Sequence, residues 1–251
     1  MTASVTDAPS FTARPDGTRI AYRLRPGRGP TLVYLTGYRG EMLGTKASAV
    51  DAWGQHSGRA VLRLDYAGYG ESDGEFEAQS LEDRLGDVLL AMDAAGVGRA
   101  VLMGSSMGGW IMLMAALGAQ ERIAGLIGIA PAPDFTDWGF DEEDRAVLRR
   151  DGRLVRDAAA GNAGVTTRGL WESGEGLLLL GRPIDLFCPV RLLHGDADDV
   201  VPLEVGMHLK DALRSADVQL TVVKGGGHRL SEPGEIRTIL RAAADLLELA
   251  Q

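Results

Sequence analysis

Short, nearly continuous apolar runs recur along the 251-residue chain at positions 31–36, 60–64, 99–103, 123–130, 190–193 and 218–223, and segments with helical apolar spacing lie between them at 44–56, 80–95, 107–119, 203–214 and 235–249. A short apolar run without alternation is how a strand buried on both faces reads. Strands alternating with helices pack as a mostly parallel sheet covered on both sides. Residues 11–14 and 18–25, split by Pro15-Asp16-Gly17, read as a hairpin around a turn. Ser80 before Leu81-Glu82-Asp83 has the form of a helix cap with acids in the first turn. The predicted fold class is α/β: a mostly parallel, twisted sheet of about eight strands with helices on both faces.

Such sheets bind ligands at the carboxyl ends of their strands. At one of these ends stands Gly104-Ser105-Ser106-Met107-Gly108, between the run 99–103 and the helical segment that follows. A strand that reverses into a helix within two residues holds a serine oxygen clear of its own backbone, where it can attack. Gly104 and Gly108 omit Cβ atoms where such a turn is crowded, and a helix start aims amide groups at a developing oxyanion. Ser106 is therefore a candidate nucleophile.

A nucleophilic serine needs a base, and the base an orienting acid. The run 190–193 leads into His194-Gly195-Asp196-Ala197-Asp198-Asp199, and the run 218–223 into Lys224-Gly225-Gly226-Gly227-His228. His228 is the candidate base and Asp198 the candidate acid, with Asp196 and Asp199 as alternatives that would otherwise stabilise the turn or cap the next helix. His194 reads as structural, and His56 and His208 as surface or packing residues on helices. The oxyanion would be held by two backbone amides, those of Met107 and of Tyr38 in Gly37-Tyr38-Arg39-Gly40. This chemistry requires neither a metal nor an organic cofactor.

The alternation stops between Pro131 and Pro189, too long a stretch for a structureless loop. We expect a tail without order at 1–10, a core formed by 11–133 and 188–251, and a small helical lid at 134–187 over Ser106. Trp138, Phe140, Trp171 and the leucines at 177–180 are candidates to line an acyl pocket, and Arg145, Arg149, Arg150, Arg153, Arg156 and Arg168 to attract an anionic group. The alternative is that they form the lid's own core and a solvated face.

A net charge of −9 argues against a nucleic-acid surface and against docking on anionic membranes. The single cysteine, Cys188, allows no internal disulfide, and it lies in an apolar stretch that does not favour a thiolate. No run reaches the length of a membrane span, and the first ten residues lack the pattern of a secretory signal, so a cytoplasmic enzyme is expected. Its substrate would be a small-molecule or protein-linked acyl ester or thioester.

Gly37-Tyr38, Gly44-Thr45-Lys46-Ala47, Asp65-Tyr66-Ala67-Gly68, Ser72-Asp73-Gly74, the stretch from Gly104 to Gly109-Trp110 and Arg191-Leu192-Leu193-His194-Gly195 together resemble the α/β-hydrolase superfamily. Within it they look like the group of α/β-hydrolase-domain-containing protein ten, whose members are palmitoyl-protein thioesterases and acyl-glucuronide esterases. The resemblance implies an α/β-hydrolase fold, with Ser106 as nucleophile, Asp198 as acid and His228 as base. It departs at Thr36, where many hydrolases carry histidine, and in lacking a recognisable mitochondrial transit segment.

Overall fold

The structure is a computed structural model describing residues 8–156 and 164–250. Its eight-stranded sheet has the order β1-β2-β4-β3-β5-β6-β9-β10. β1 (Ser10–Ala13) and β2 (Arg19–Arg25) form the expected hairpin, and β2 pairs antiparallel with β4 (Arg59–Leu64). From there on, β3 (Arg28–Leu35), β5 (Ala100–Ser105), β6 (Ile123–Ile129), β9 (Val190–Gly195) and β10 (Val218–Val223) run parallel to one another and to β4.

The pleat divides the core in two. Leu32 and Tyr34 of β3 pack toward α1 (Thr45–Ser57) and α8 (Pro233–Leu249). Val33 and Leu35 pack the other way, among residues of α2 (Leu81–Ala94), α3 (Met107–Gly118) and α7 (Leu203–Ala212). Both faces are apolar because both are covered, which is why the strands read as unbroken runs. Ser80 caps α2 as predicted, accepting from the Asp83 amide at 3.0 Å while Asp83 accepts from the Ser80 amide at 2.8 Å.

The site's location follows from topology. The chain places β4 on one side of β3 and β5 on the other. The connections after β3 and β5 therefore diverge and leave a crevice at their carboxyl ends. The resemblance motifs at Asp65 and Ser72 brace this crevice. The buried Asp65 carboxylate accepts from the Met42 amide at 2.7 Å and the Glu71 amide at 3.0 Å, while Ser72 Oγ donates to the Asp65 carbonyl at 2.7 Å. The segment after β3 is thus tied to the segment after β4.

Two expectations need correction. The tail at 1–10 includes Ser10, which is the first residue of β1; residues 1–7 lie outside the described residues. The segment at 134–187 is not wholly helical. It holds α4 (Phe135–Trp138), α5 (Glu142–Asp151) and α6 (Arg168–Glu175), but also an antiparallel ribbon of β7 (Arg153–Arg156) and β8 (Gly164–Thr167). Val155, Val165, Thr166 and Thr167 are β-branched, and their χ1 restriction favours extended backbone over the helix expected from the length of the insertion alone. Positions 157–163 of the expected lid fall outside the described residues. No helix among the described residues is long and apolar enough to cross a membrane.

Candidate active site

Ser106 sits between β5 and α3 with φ 54 and ψ −122, a strained positive-φ conformation that an L-residue adopts only when its surroundings impose it. Those surroundings are visible. The Ser106 amide donates to the Ile129 carbonyl at 2.9 Å, and its carbonyl accepts from Gly109 at 2.8 Å and Ala132 at 3.1 Å. A Cβ on Gly104 would overlap the Gly108 carbonyl, and one on Gly108 the carbonyls of Leu35 and Thr36. The glycines are required by close approach of backbone, as a sharp elbow demands.

Ser106 Oγ makes no cap to its own helix. Instead it lies 3.0 Å from His228 Nε2, and His228 Nδ1 lies 2.9 Å from Asp198 Oδ2. The Asp198 side chain is fully buried, and its Oδ1 accepts from the amides of Val200 and Val201 at 2.9 and 2.8 Å. Burial alone would raise its pKa. The hydrogen bonds from His194, His228 and the Val201 amide outweigh burial and hold the carboxyl well below the usual carboxylate range. Asp198 is thus an ionised acceptor facing the histidine.

The neighbouring acids do other work. Asp196 accepts from the Gly225 amide, joining the loop after β9 to the loop after β10. Asp199 is exposed and does not cap α7, whose cap is Pro202 without a side-chain hydrogen bond. His194 is fully buried, with Nε2 2.9 Å from the Val201 carbonyl. It also stands 3.5 Å from Asp198 Oδ2, a contact that sequence reasoning missed. Four-residue spacing from a strand end into its loop gave no signal of it. His56 and His208 are exposed on α1 and α7.

Met107 is the first residue of α3, where an amide has no partner within its helix. Tyr38 occupies the turn closed by the Gly40 amide on the Gly37 carbonyl at 3.0 Å, and a Cβ on Gly37 would approach the Ser106 Cβ to 3.2 Å. The turn after β3 therefore lies directly against the serine. The Tyr38 hydroxyl donates to the Val165 carbonyl of β8, and its ring meets Phe76 edge-on at 5.0 Å.

Two cavities open beside Ser106. One, of about 270 Å³, is lined by Met107, Phe135, Trp138, Phe140 and Val201 among others. The second, of about 600 Å³, is lined by polar and charged groups including Thr36, Glu41, Lys46, His228 and Arg229. Trp138 and Phe140 thus reach the apolar cavity; Trp171 does not. It packs with Phe140, Leu148 and Leu154, and its Nε1 donates to the Thr136 carbonyl at 3.1 Å. Leu179 and Leu180 are also buried away from the cavity, in the main core, with their amides held by Asp134. Asp134 and the loop Val200-Val201-Pro202 were missed, because burial of an acid and the path of a loop carry no periodic signal.

The arginines at 145–168, candidates either to attract an anion or to form a solvated face, are largely paired with acids, and Arg156 also lines the apolar cavity. Arg145 meets Asp137, Arg149 meets Glu142 at 2.9 Å and Arg150 meets Asp151 at 2.7 Å. Arg153 meets Glu77 at 3.4 Å and Arg156 meets Asp144, while Arg168 donates to the carbonyls of Leu148 and Arg149. All of these acids except Glu77 are interleaved in the same segment, and their proximity in space offsets most of the positive charge, Arg168 being held by carbonyls alone.

The geometry has close parallels. The alpha/beta hydrolase fold family matches residues 30–166. Human palmitoyl-protein thioesterase ABHD10, mitochondrial, is 35% identical over 244 residues, which are 95% of this chain and 80% of that protein. The mouse protein of the same name is 33% identical, with 95% and 82% covered. Among solved structures, alpha/beta hydrolase domain-containing protein 10 from mouse superposes with a TM-score of 0.91 at 32% identity, covering 97% of this chain and all of that one. A putative hydrolase from Agrobacterium vitis S4 gives 0.88 at 33% identity, covering 95% and 97%. The relatives' names say mitochondrial, so the cytoplasmic expectation gains no support from them. With the fold, the sheet order and these relatives in agreement, the chain belongs to the alpha/beta-hydrolase family, as a hydrolase of carboxylic esters or thioesters.

Proposed function

We propose that Ser106, His228 and Asp198 carry out this hydrolysis through an acyl-enzyme. His228 Nε2 takes the Ser106 proton as Oγ attacks the acyl carbon, and Asp198 holds the imidazole in the tautomer that presents Nε2 as acceptor. The amides of Met107 and Tyr38 hold the tetrahedral oxyanion. The proton then passes from His228 to the leaving oxygen or sulfur. Water, activated by the same imidazole, releases the acid and restores Ser106. The observation that carries this reading is the unbroken relay of 3.0 and 2.9 Å between three residues from three separate strand ends.

The segment at 134–187 acts as a lid, since Phe135, Trp138 and Phe140 line a cavity in common with Ser106. That cavity receives the acyl group and the polar cleft that shares Ser106 with it receives the leaving group. Relatives named palmitoyl-protein thioesterases make S-acylated thiols the first substrates to try.

Reaction with a fluorophosphonate, followed by a panel of p-nitrophenyl esters and acyl thioesters of increasing chain length, tests the assignment. Wild type should be labelled and Ser106→Ala should not. Labelling that persists in the alanine variant would remove Ser106 as nucleophile. Turnover that ignores acyl length would separate the apolar cavity from acyl binding.

A further inference from the structure

The Gly44-Thr45-Lys46-Ala47 segment forms the cap and first turn of α1. A first turn faces the positive end of the helix dipole, where acids are favoured and a lysine is not. No acid stands in that turn to offset Lys46. The side chain is also half-buried, and burial together with the Arg229 charge pushes the ammonium down to about 8, against a smaller opposing pull from Glu235. Neither effect helps the helix, so the residue's value lies where its side chain ends. The ammonium donates to the carbonyl of Arg229, 183 positions along the chain and directly after His228.

The loop bearing His228 is anchored differently on its two sides. Upstream, the Gly225 amide donates to Asp196 and the Ala197 amide donates to the Gly226 carbonyl at 3.0 Å, so this side is tied to the loop after β9. Downstream, the Leu230 amide reaches the Gly227 carbonyl at 3.3 Å and Ser231 Oγ reaches the Arg229 carbonyl at 3.0 Å. Both of those bonds are internal to the loop, and this side is otherwise anchored by the Leu230 side chain, which is buried in the core on the α1 and α8 face, with its backbone in the left-handed region at φ 42. Among the described residues, the hydrogen bond that ties the segment from Arg229 to Ser231 to another element is the one from Lys46.

We propose that Lys46 is a positioning residue for His228, fixing the Arg229 carbonyl so that the imidazole stays aimed at Ser106 from its downstream side. This rests on His228 acting as the base for Ser106. A charge-assisted bond to a carbonyl is shorter and stronger than a neutral one, which suits it to holding a loop. Small losses of aim at the reacting groups are costly in rate. Lys46 also lines the polar cleft, so the rival role is direct contact with an anionic leaving group.

Wild type, Lys46→Met and Lys46→Arg are compared in fluorophosphonate labelling rate, and in kcat and KM for p-nitrophenyl butyrate and for the butyrate ester of 4-hydroxybenzoate, whose leaving group carries a carboxylate. Lys46→Met should lower the labelling rate and kcat about tenfold with both esters while KM changes less than about twofold, and Lys46→Arg should return most of the loss. Should Lys46→Met fail to fold, Lys46→Leu, which also lacks a donor, carries the same comparison. An effect confined to KM for the carboxylated ester, or unchanged kcat and labelling, overturns the positioning role while the triad stands. Absence of labelling in wild type overturns the triad itself, and this inference with it.

Discussion

His228 Nε2 lies 3.0 Å from Ser106 Oγ although 122 positions separate the two residues, and each stands just past the carboxyl end of a parallel strand. Replacing either by alanine should lower kcat by about 10⁴ or more with little change in Tm, because the relay works as a unit. Steady-state kinetics on one p-nitrophenyl ester, with circular dichroism to confirm folding, checks this. A loss below about a hundredfold for either variant would mean the pair is not the catalytic couple.

Asp198→Asn and Asp196→Asn form a discriminating pair. The first removes the carboxylate 2.9 Å from His228 Nδ1 and should cost about 10⁴ in kcat. The second removes the charge at Asp196 but keeps an amide oxygen that can still accept from the Gly225 amide, and should cost less than about tenfold. Reversal of that order would transfer the acid's role to Asp196.

Stability should fall on the acid side through the same carboxylate. The folded pKa of Asp198 lies below its unfolded value, so the unfolded chain binds more protons. Its contribution is full above the unfolded value near 3.8 and fades as the pH falls from there toward the folded value. Tm measured from pH 6 downward should therefore drop more steeply for wild type below about pH 4 than for Asp198→Asn. Parallel curves would mean that the depressed pKa does not contribute.

Tyr38→Phe keeps the ring against Phe76 but deletes the hydroxyl bonded to the Val165 carbonyl. That bond links the turn after β3 to the ribbon of β7 and β8. Its loss should weaken the ribbon by about 1 kcal/mol and raise amide exchange at 164–167, with a severalfold loss in kcat. Exchange unchanged at those amides would show that the ribbon is held by other contacts.

Gly108→Ala places a methyl against the carbonyls of Leu35 and Thr36, neither of which can move without shifting β3. We expect a cost of about 1–3 kcal/mol in thermal unfolding and a larger proportional loss of activity, since the elbow and the turn bearing Tyr38 share that contact. Gly118→Ala, with nothing within 4 Å of its new Cβ, serves as the control.

The legible and illegible parts of this chain separate by the range of the interaction involved. Strands β3 to β6 and β9 are readable because burial on both faces forces unbroken apolar runs, the edge strand β10 because its valines and leucine favour extended backbone, and the elbow at Ser106 because its glycines are demanded by local crowding. The ribbon of β7 and β8 is not, since two four-residue strands with a single buried residue between them, Leu154, are too short to show an apolar period. Trp171 was misplaced for a related reason. An aromatic in an inserted segment has the same local surroundings whether it faces a cavity or packs on Leu148 and Leu154.

By itself the sequence determined the α/β class, the serine at a strand end, and the order of serine, acid and histidine, because each is encoded in neighbours a few residues apart. Only the tertiary structure decided which of three aspartates meets His228, that most of the arginines at 145–168 pair with acids, and that Lys46 reaches the carbonyl beside the histidine. These are pairings between distant segments. Hydrogen bonds and charges act over a few ångströms in space, and nothing local in the chain reports which distant groups folding will bring that close.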